Sequence, residues 1–310
     1  MIEVIQAGVQ STVQDLGRRG LRHLGVAQCG ALDAPALIMA NRLLANAADA
    51  AGIEVVAGPF RLRFLRDAWF ALAGADFGAE LDGEPVWSGW RYPARAGQQL
   101  TLSGGRHGMR AYLALAGGIA VPLALGARAT DLQAGLGGWQ GRALRGGDRL
   151  PLGAAAPLSG RLGRRGLGWS PELRCLPGPD WHAFTPATRQ AFCRQQWTVS
   201  PQSNRMGYRL LGEELARASG GESLSHAVLP GVVQVPPGGQ PIVLLADAQT
   251  TGGYPRIACV IEADLWKLAQ ARPGVRLHFV MVDAQQATAA RLRQRQLLQA
   301  QDWSQACRSI

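Results

Sequence analysis

Apolar and polar residues alternate over the first six positions, the period of a half-buried strand. A polar stretch, "AGVQSTVQDLGRRGLRHLGV" (7–26), reads as a loop. In "CGALDAPALIMANRLLAN" the period changes. Asp33 suits an N-cap, Pro35 falls in the first turn, and Leu37, Ala40, Leu43 and Leu44 make one apolar face. This spacing predicts a helix over 34–44. Short apolar runs then recur at 53–56, 60–64, 69–72, 99–102 and 111–116, separated by Gly-Pro, Asp-Gly and Gly-Gly signals, and read as strands.

The stretch "LGAAAPLSGRLGRRGLGW" (152–169) breaks this rhythm and has the composition of a linker. It predicts a first domain over 1–155, a second over 170–310, and a linker at about 153–169. In the second half the pattern predicts strands at 173–176, 232–235, 242–245, 257–261 and 277–282. Helices are expected at 186–193, with Thr185 as N-cap and Pro186 in first position, at 263–269, and over the Ala-, Gln-, Arg- and Leu-rich 284–301. A weak repeat joins the halves. "RAGQQLTL", "RGGDRLPL" and "RPGVRLHF" begin at Arg95, Arg145 and Arg272, and each reads as a turn feeding a strand.

Composition supports a chain of many short strands. It has 310 residues, 47% hydrophobic, with Gly 40 and Pro 18. The formal charge of +10 raises the question of nucleic acid, but Lys267 is the only lysine and the arginines are scattered. The densest basic run, "GRLGRRG", has no interleaved aromatics, so the charge reads as a solvated surface and no nucleic-acid partner is expected. Cys29, Cys175, Cys193, Cys259 and Cys307 are odd in number and lack CxxC spacing. His23, His107, His182, His226 and His278 are dispersed, so no metal site is expected. The N-terminus lacks a basic leader and no long apolar run occurs, which predicts a cytoplasmic protein with no membrane association.

Four polar clusters carry candidate chemistry: Gln14, Asp15 and Arg18; Asp33 closing "CGALD"; Asn204, Arg205, Tyr208 and Arg209 in "SPQSNRMGYR"; and Gln249, Thr250, Thr251, Gly252, Gly253, Tyr254 and Arg256 in "LLADAQTTGGYPRI". Each of the first three has a structural alternative. Asp15 and Arg18 can lock a loop as an ion pair, Asp33 can cap a helix, and Asn204 can make an Asx-turn. Cys29 reads as a small buried filler and His226 as structural or exposed. The last cluster groups an amide, two hydroxyls, a phenol and a guanidinium, a set matched to a polar planar ligand. "GLGGWQGR" (135–142) is glycine-rich but lacks the Lys-Ser/Thr of a phosphate loop.

"TVQDLGRRG", "CGALD", "GARATDLQAGLGGWQGR", "SPQSNRMGYRL" and "PGVVQVPPGGQPIVLLADAQTTGGYPRIA" together resemble the biotin-dependent carboxyltransferase (allophanate hydrolase subunit 2) family, on its 5-oxoprolinase branch. The likeness runs in order from about 10 to 279. Cys29 stands where many relatives have Ser, and Asn204 where others have Asp. The resemblance implies a mainly β protein of two cyclophilin-like β-barrel domains with a few short helices. It implies one component of an ATP-dependent complex that hydrolyses 5-oxo-L-proline to L-glutamate, with ATP and Mg used in the complex. It also implies two partner proteins of the 5-oxoprolinase complex, one KipI-like and one LamB/YcsF-like.

On that reading Arg205 and Arg256 meet anionic groups, and Asn204, Gln249, Thr250 and Thr251 pair with amide or phosphate oxygens. Tyr254 walls the pocket, Asp15 or Asp33 assists with magnesium or proton transfer, and Gln14, Arg18, Tyr208, Gly252 and Gly253 complete the substrate site. Two other functions stay open: the carboxyltransferase component of a urea carboxylase or allophanate system, and a KipA-like, non-enzymatic binding protein. Lys267 in "DLWKLAQ" lacks the Met-Lys-Met setting of a biotinyl lysine, so no biotin is expected on this chain.

Overall fold

The computed structural model describes residues 1–105, 107–216 and 224–300; Gln301 and Cys307 lie outside them. The chain divides into two compact units. The first comprises Met1–Arg18, Cys29–Gly168 and the described residues from Leu298 onward; the second comprises Arg19–Gln28 and Trp169–Leu297.

The first unit carries strands β1 Ile2–Gln6, β2 Gln10–Gln14, β3 Gly52–Val56, β4 Phe60–Phe64, β5 Ala68–Gly74 and β6 Ala79–Leu81. These are followed by β7 Glu84–Val86, β8 Trp90–Ala94, β9 Gln99–Leu102, β10 Arg110–Leu115, β11 Arg149–Leu150 and β12 Leu162–Gly163, and helix α1 spans Ala34–Leu43. They form two six-stranded sheets, β11-β1-β4-β9-β6-β7 and β12-β8-β5-β10-β3-β2. Phe60, Leu62, Phe64, Leu100 and Leu102 of the first sheet share one core with Ile53, Val55, Phe70, Leu72 and Leu113 of the second. Apolar residues on the other face of the second sheet, Ala71, Ala73, Tyr112 and Ala114, pack against Leu37, Ala40 and Leu43 of α1. That double burial explains why β10 is buried throughout rather than on alternate residues.

The expected loop at 7–26 contains β2, paired with β3 from Gln10↔Val56 to Gln14↔Gly52. Its sequence hides the strand because the buried residues include Ser11, Thr12 and Gln14, whose hydroxyls and the Gln14 Nε2 are engaged in hydrogen bonds. The low-complexity stretch at 153–168 lies in the first unit, where the Arg91 guanidinium donates to Ser159 O and Gly160 O at 2.6 and 3.1 Å.

The second unit carries β13 Glu172–Pro177, β14 Trp197–Val199, β15 Gly207–Leu211, β16 His226–Ala227, β17 Val232–Gln234, β18 Ile242–Leu244, β19 Thr251–Gly252, β20 Arg256–Val260 and β21 Arg276–Met281. Its helices are α2 Pro186–Arg194, α3 Leu265–Gln270 and α4 Ala284–Gln299. Seven strands close a barrel, β13-β20-β17-β18-β15-β14-β21, sealed by parallel pairing of β13 with β21. The remaining pair, β16 and β19, makes a separate ribbon. Thr185 caps α2, its hydroxyl accepting from the Thr188 N–H at 3.1 Å.

The three repeat segments fold alike. The N–H groups of Gln98, Asp148 and Val275 donate to the carbonyls of Arg95, Arg145 and Arg272. The third residue of each turn is a glycine at positive φ: Gly97 (91°), Gly147 (91°) and Gly274 (85°). This is the type II pattern, which needs glycine there, and each turn feeds β9, β11 or β21. Among the described residues no helix is long and apolar enough to cross a membrane.

Candidate functional site

In the first unit, the chain leaving β2 turns its polar groups inward. The Asp15 carboxylate accepts from the N–H groups of Gly17 (2.8 Å) and Arg128, and its carbonyl accepts from the Ala31 N–H. Arg18 donates through Nε to Ala124 O (3.1 Å) and through Nη2 to Ala129 O. Asp15 and Arg18 therefore do not form the expected ion pair. Each instead locks onto the backbone of 124–130, whose buried peptide groups need partners. Gln14 Nε2 donates to Thr12 Oγ1 (3.0 Å) and Thr130 O (3.2 Å). Gly30, at φ 90°, lies so close to the 16–17 peptide that a Cβ would sit 2.7 Å from Gly17 N.

Asp33 is buried and caps α1, its Oδ1 accepting from the Ala36 N–H at 3.0 Å. Tyr112 fixes the same loop from below. Its hydroxyl accepts from the Asp33 N–H (2.7 Å) and donates to Glu54 Oε2 (2.6 Å), which also accepts from the Leu32 N–H. Burial, then the Glu54 and Asp33 carboxylates, hold the Tyr112 phenol well above its ordinary range, so it stays a donor. Cys29 is buried at the start of this loop, as its small-filler reading requires.

In the second unit, Arg205 and Asp247 form a bidentate pair, Nε to Oδ2 and Nη2 to Oδ1, both 2.8 Å, with each side chain 5% exposed. Arg205 was expected to meet a substrate anion; its fork is engaged by Asp247 instead. Arg256 is engaged likewise, Nε lying 2.8 Å from Asp180 Oδ2. Burial alone would raise the Asp180 carboxyl, but hydrogen bonds from the Arg256 side chain and N–H hold it below the usual carboxylate range. Asn204 makes the Asx-turn, its Oδ1 accepting from the Met206 N–H at 2.8 Å. Tyr208 is buried on β15.

The stretch from Gln249 to Tyr254 is a ledge. Gln249, Thr251 and Tyr254 (45% exposed) reach solvent, while Thr250, Gly252 and Gly253 are half-buried. Its backbone is the fixed part. The Arg22 guanidinium donates to Val228 O (2.7 Å) and Gln249 O (2.8 Å), and the Val228 N–H donates to Thr250 O. β19 pairs with β16, placing His226 opposite Gly252. A Cβ at Gly252 would lie 2.8 Å from Gln234 Nε2, so a larger residue would make the Gln234 amide shift. His226 Nδ1 lies 2.9 Å from Leu224 O, and its ring is half-buried rather than exposed.

Of the predicted residues, Gln14, Asp15, Arg18 and Asp33 thus belong to the first unit, and Asn204 to Arg256 to the second. Sequence reasoning passed over Glu54, Tyr112, Asp180, Gln234 and Asp247, which hold these loops. Only Asp247 gave a signal, as the charge that ends the apolar run 243–246. Among the described residues no group of three or more His, Cys, Asp or Glu side chains is placed to hold a metal ion.

Residues 24–281 match the model of the carboxyltransferase domain, subdomains A and B. The chain belongs to the carboxyltransferase domain family. This carboxyltransferase domain is 52% identical to the 5-oxoprolinase C subunit of Escherichia coli (strain K12), over 98% of each chain. Its fold matches the crystal structure of TTHA0988 with a TM-score of 0.83 at 40% identity, covering 90% of this chain and 56% of that one. It also matches the urea amidolyase of K. lactis with a TM-score of 0.87 at 27% identity, covering 96% of this chain but 20% of that one. The carboxyltransferase domain thus spans about half of the first solved chain and a fifth of the second.

Proposed function

We propose that this chain is the C subunit of a 5-oxoprolinase, and that with its KipI-like and LamB/YcsF-like partners it converts 5-oxo-L-proline to L-glutamate at the expense of ATP. One observation carries this reading: 52% identity to a 5-oxoprolinase C subunit extends over 98% of both chains. A lactam is a poor electrophile because amide resonance opposes attack by water. Transfer of a phosphoryl group to the lactam oxygen, with release of ADP, gives the ring carbon a leaving group. Water adds to that carbon, and the C–N bond breaks with the ring nitrogen taking a proton to become the amine. A second water hydrolyses the resulting acyl phosphate to L-glutamate and phosphate. Such a site must grip a carboxylate, hold an amide and face developing negative charge.

The residues of this chain suit gripping and positioning. The exposed Gln249 amide, the Thr251 hydroxyl and the Tyr254 ring offer hydrogen bonds and a flat wall on a rigid backbone. Arg205 acts as a positioning residue through Asp247, rather than as an anion clamp. Among the described residues no group of three or more metal-ligating side chains occurs, and the sequence has no Gly-Lys-Ser/Thr loop. ATP and Mg are used in the complex, where Mg on a nucleotide needs only one or two carboxylates beside the phosphates. Lys267 does not fit biotin. It is largely buried, and its amine donates to Glu172 O at 2.8 Å and meets Asp264 at 3.2 Å.

A second reading, carboxyl transfer in urea metabolism, is favoured by the fold match to K. lactis urea amidolyase. One assay separates the two: 5-oxoproline-dependent ADP release and glutamate formation, with and without the KipI-like and LamB/YcsF-like partners. Activity with all three proteins supports the proposal. An inert, well-folded complex that instead carboxylates urea from a carboxybiotin donor supports the second reading.

A further inference from the structure

The ribbon of β16 and β19 is too short to hold itself. Each strand has two residues, and among the described strands they pair only with each other. A two-stranded ribbon alone is at best marginally stable in water. The register His226↔Gly252 and Ala227↔Thr251 is extended one step by the Val228 N–H, which donates to Thr250 O at 3.0 Å. At that end of the ribbon the Arg22 side chain takes over. Its Nη2 donates to Val228 O at 2.7 Å and to Gln249 O at 2.8 Å, one carbonyl from each side of the ribbon. A single nitrogen therefore staples both chains.

Arg22 is itself held in place. It opens the short turn Arg22–Leu24, which Gly25, at φ 82°, closes by donating its N–H to Arg22 O at 3.0 Å. The surrounding segment, Arg19–Gln28, folds with the second unit although it lies between β2 and α1 in the sequence. The staple thus joins residues 206 and 227 positions apart. Hydrogen bonds from a charged donor are stronger than neutral ones, and a guanidinium holds its donors in a fixed plane. Gln249, whose carbonyl is stapled, is also the first side chain of the ledge.

We infer that Arg22 is a positioning residue: it holds the Gln249–Tyr254 ledge in the backbone geometry in which its exposed side chains meet substrate together. Arg22 acts through the carbonyls of Val228 and Gln249 and does not itself touch substrate. A binding group displaced by about 1 Å costs on the order of a hundredfold in rate, so a loosened ledge is felt in turnover before it is felt in overall stability. Charge alone does not suffice, because lysine lacks the planar donors of the guanidinium. The substrate role of the ledge rests on the oxoprolinase reading, whereas the staple rests on the two hydrogen bonds.

The test sets kcat/KM for 5-oxo-L-proline in the reconstituted complex beside amide exchange of the full chain. Arg22→Ala should lower kcat/KM about a hundredfold. It should also speed exchange of the Val228 amide about tenfold or more. Tm should fall by no more than about 4 °C, because the ribbon lies outside the barrel. Free guanidinium, below denaturing concentrations, should restore part of the activity and of the protection, whereas methylammonium should not. Arg22→Lys should stay impaired, and Arg19→Gln, an exposed change in the same segment, should match wild type. Unchanged kcat/KM in Arg22→Ala would overturn the assignment. So would lost activity without faster Val228 exchange, or lost activity with a large fall in Tm and no guanidinium rescue, as for a merely structural residue. If Arg22→Ala does not fold, Arg22→Lys decides by the same kinetic and exchange readouts. An inert wild-type complex rejects the oxoprolinase reading instead, and Val228 exchange then decides alone whether Arg22 orders the ledge.

Discussion

Arg205 and Asp247 face each other through two 2.8 Å hydrogen bonds, and both are almost fully buried. The Asp247 N–H also donates to the Arg205 carbonyl at 3.1 Å, so side chain and backbone tie the 203–206 turn to the end of β18. The pair is worth little as a net gain, because both charges leave water. Breaking it is costly, because the survivor stays buried. Asp247→Ala is therefore expected to lose about 3–5 kcal/mol of unfolding free energy in urea titrations. A loss below about 1 kcal/mol would show that Arg205 finds another partner.

Tyr112→Phe removes the hydroxyl that serves both Asp33 and Glu54. The Asp33 N–H is then left buried, at a cost of about 1–3 kcal/mol. Denaturant unfolding gives the size. Exchange of the Asp33 amide should accelerate with it, and unchanged exchange would count against the bridge.

Gly30→Ala tests the close approach of two loops. The new methyl would meet the backbone at 2.7 and 2.8 Å, in a conformation of positive φ. A loss of roughly 2 kcal/mol or more is expected. Gly20→Ala also has positive φ but meets nothing within 4 Å, so it should cost less. Equal losses would mean that strain alone decides.

Acid should loosen the second unit through Asp264. Burial alone would raise its carboxyl, but hydrogen bonds from the Arg174 side chain and N–H, with Lys267 nearby, hold it below the usual range. The folded pKa is thus lower than the unfolded one. The stabilisation is present above the ordinary value of 3.8 and is lost as pH falls through the folded value. Asp264→Asn should be less stable than wild type at pH 7, with the gap closing in acid. A gap independent of pH would place the effect in packing instead.

Gln249→Ala and Tyr254→Ala alter exposed side chains on a ledge whose backbone is held by Arg22 and β16. Stability should change by no more than about 0.5 kcal/mol. Turnover of the reconstituted complex should fall about tenfold or more, equivalent to roughly 1.4 kcal/mol of barrier. Unaltered turnover would remove the ledge from the substrate site.

Local rules alone determined much of this protein. Period-2 runs bounded by glycine and proline located β4 and β9 to the residue, because each strand buries one face and its turns need particular backbone angles. Asp33 and Thr185 announced the starts of α1 and α2, since capping depends on residues within one turn. The type II turns at Arg95, Arg145 and Arg272 were legible for the same reason. β2 was not, because its buried Ser11, Thr12 and Gln14 look polar until their distant partners are known. The candidate residues were visible as clusters, but their engagements were not. Asp180 lies 76 positions from Arg256, and Asp247 lies 42 from Arg205. Such pairings are made by the closure of the barrel, which local spacing does not encode. Only the tertiary structure decided that Arg205 and Arg256 are held by carboxylates, and that Arg18 is held by the carbonyls of Ala124 and Ala129.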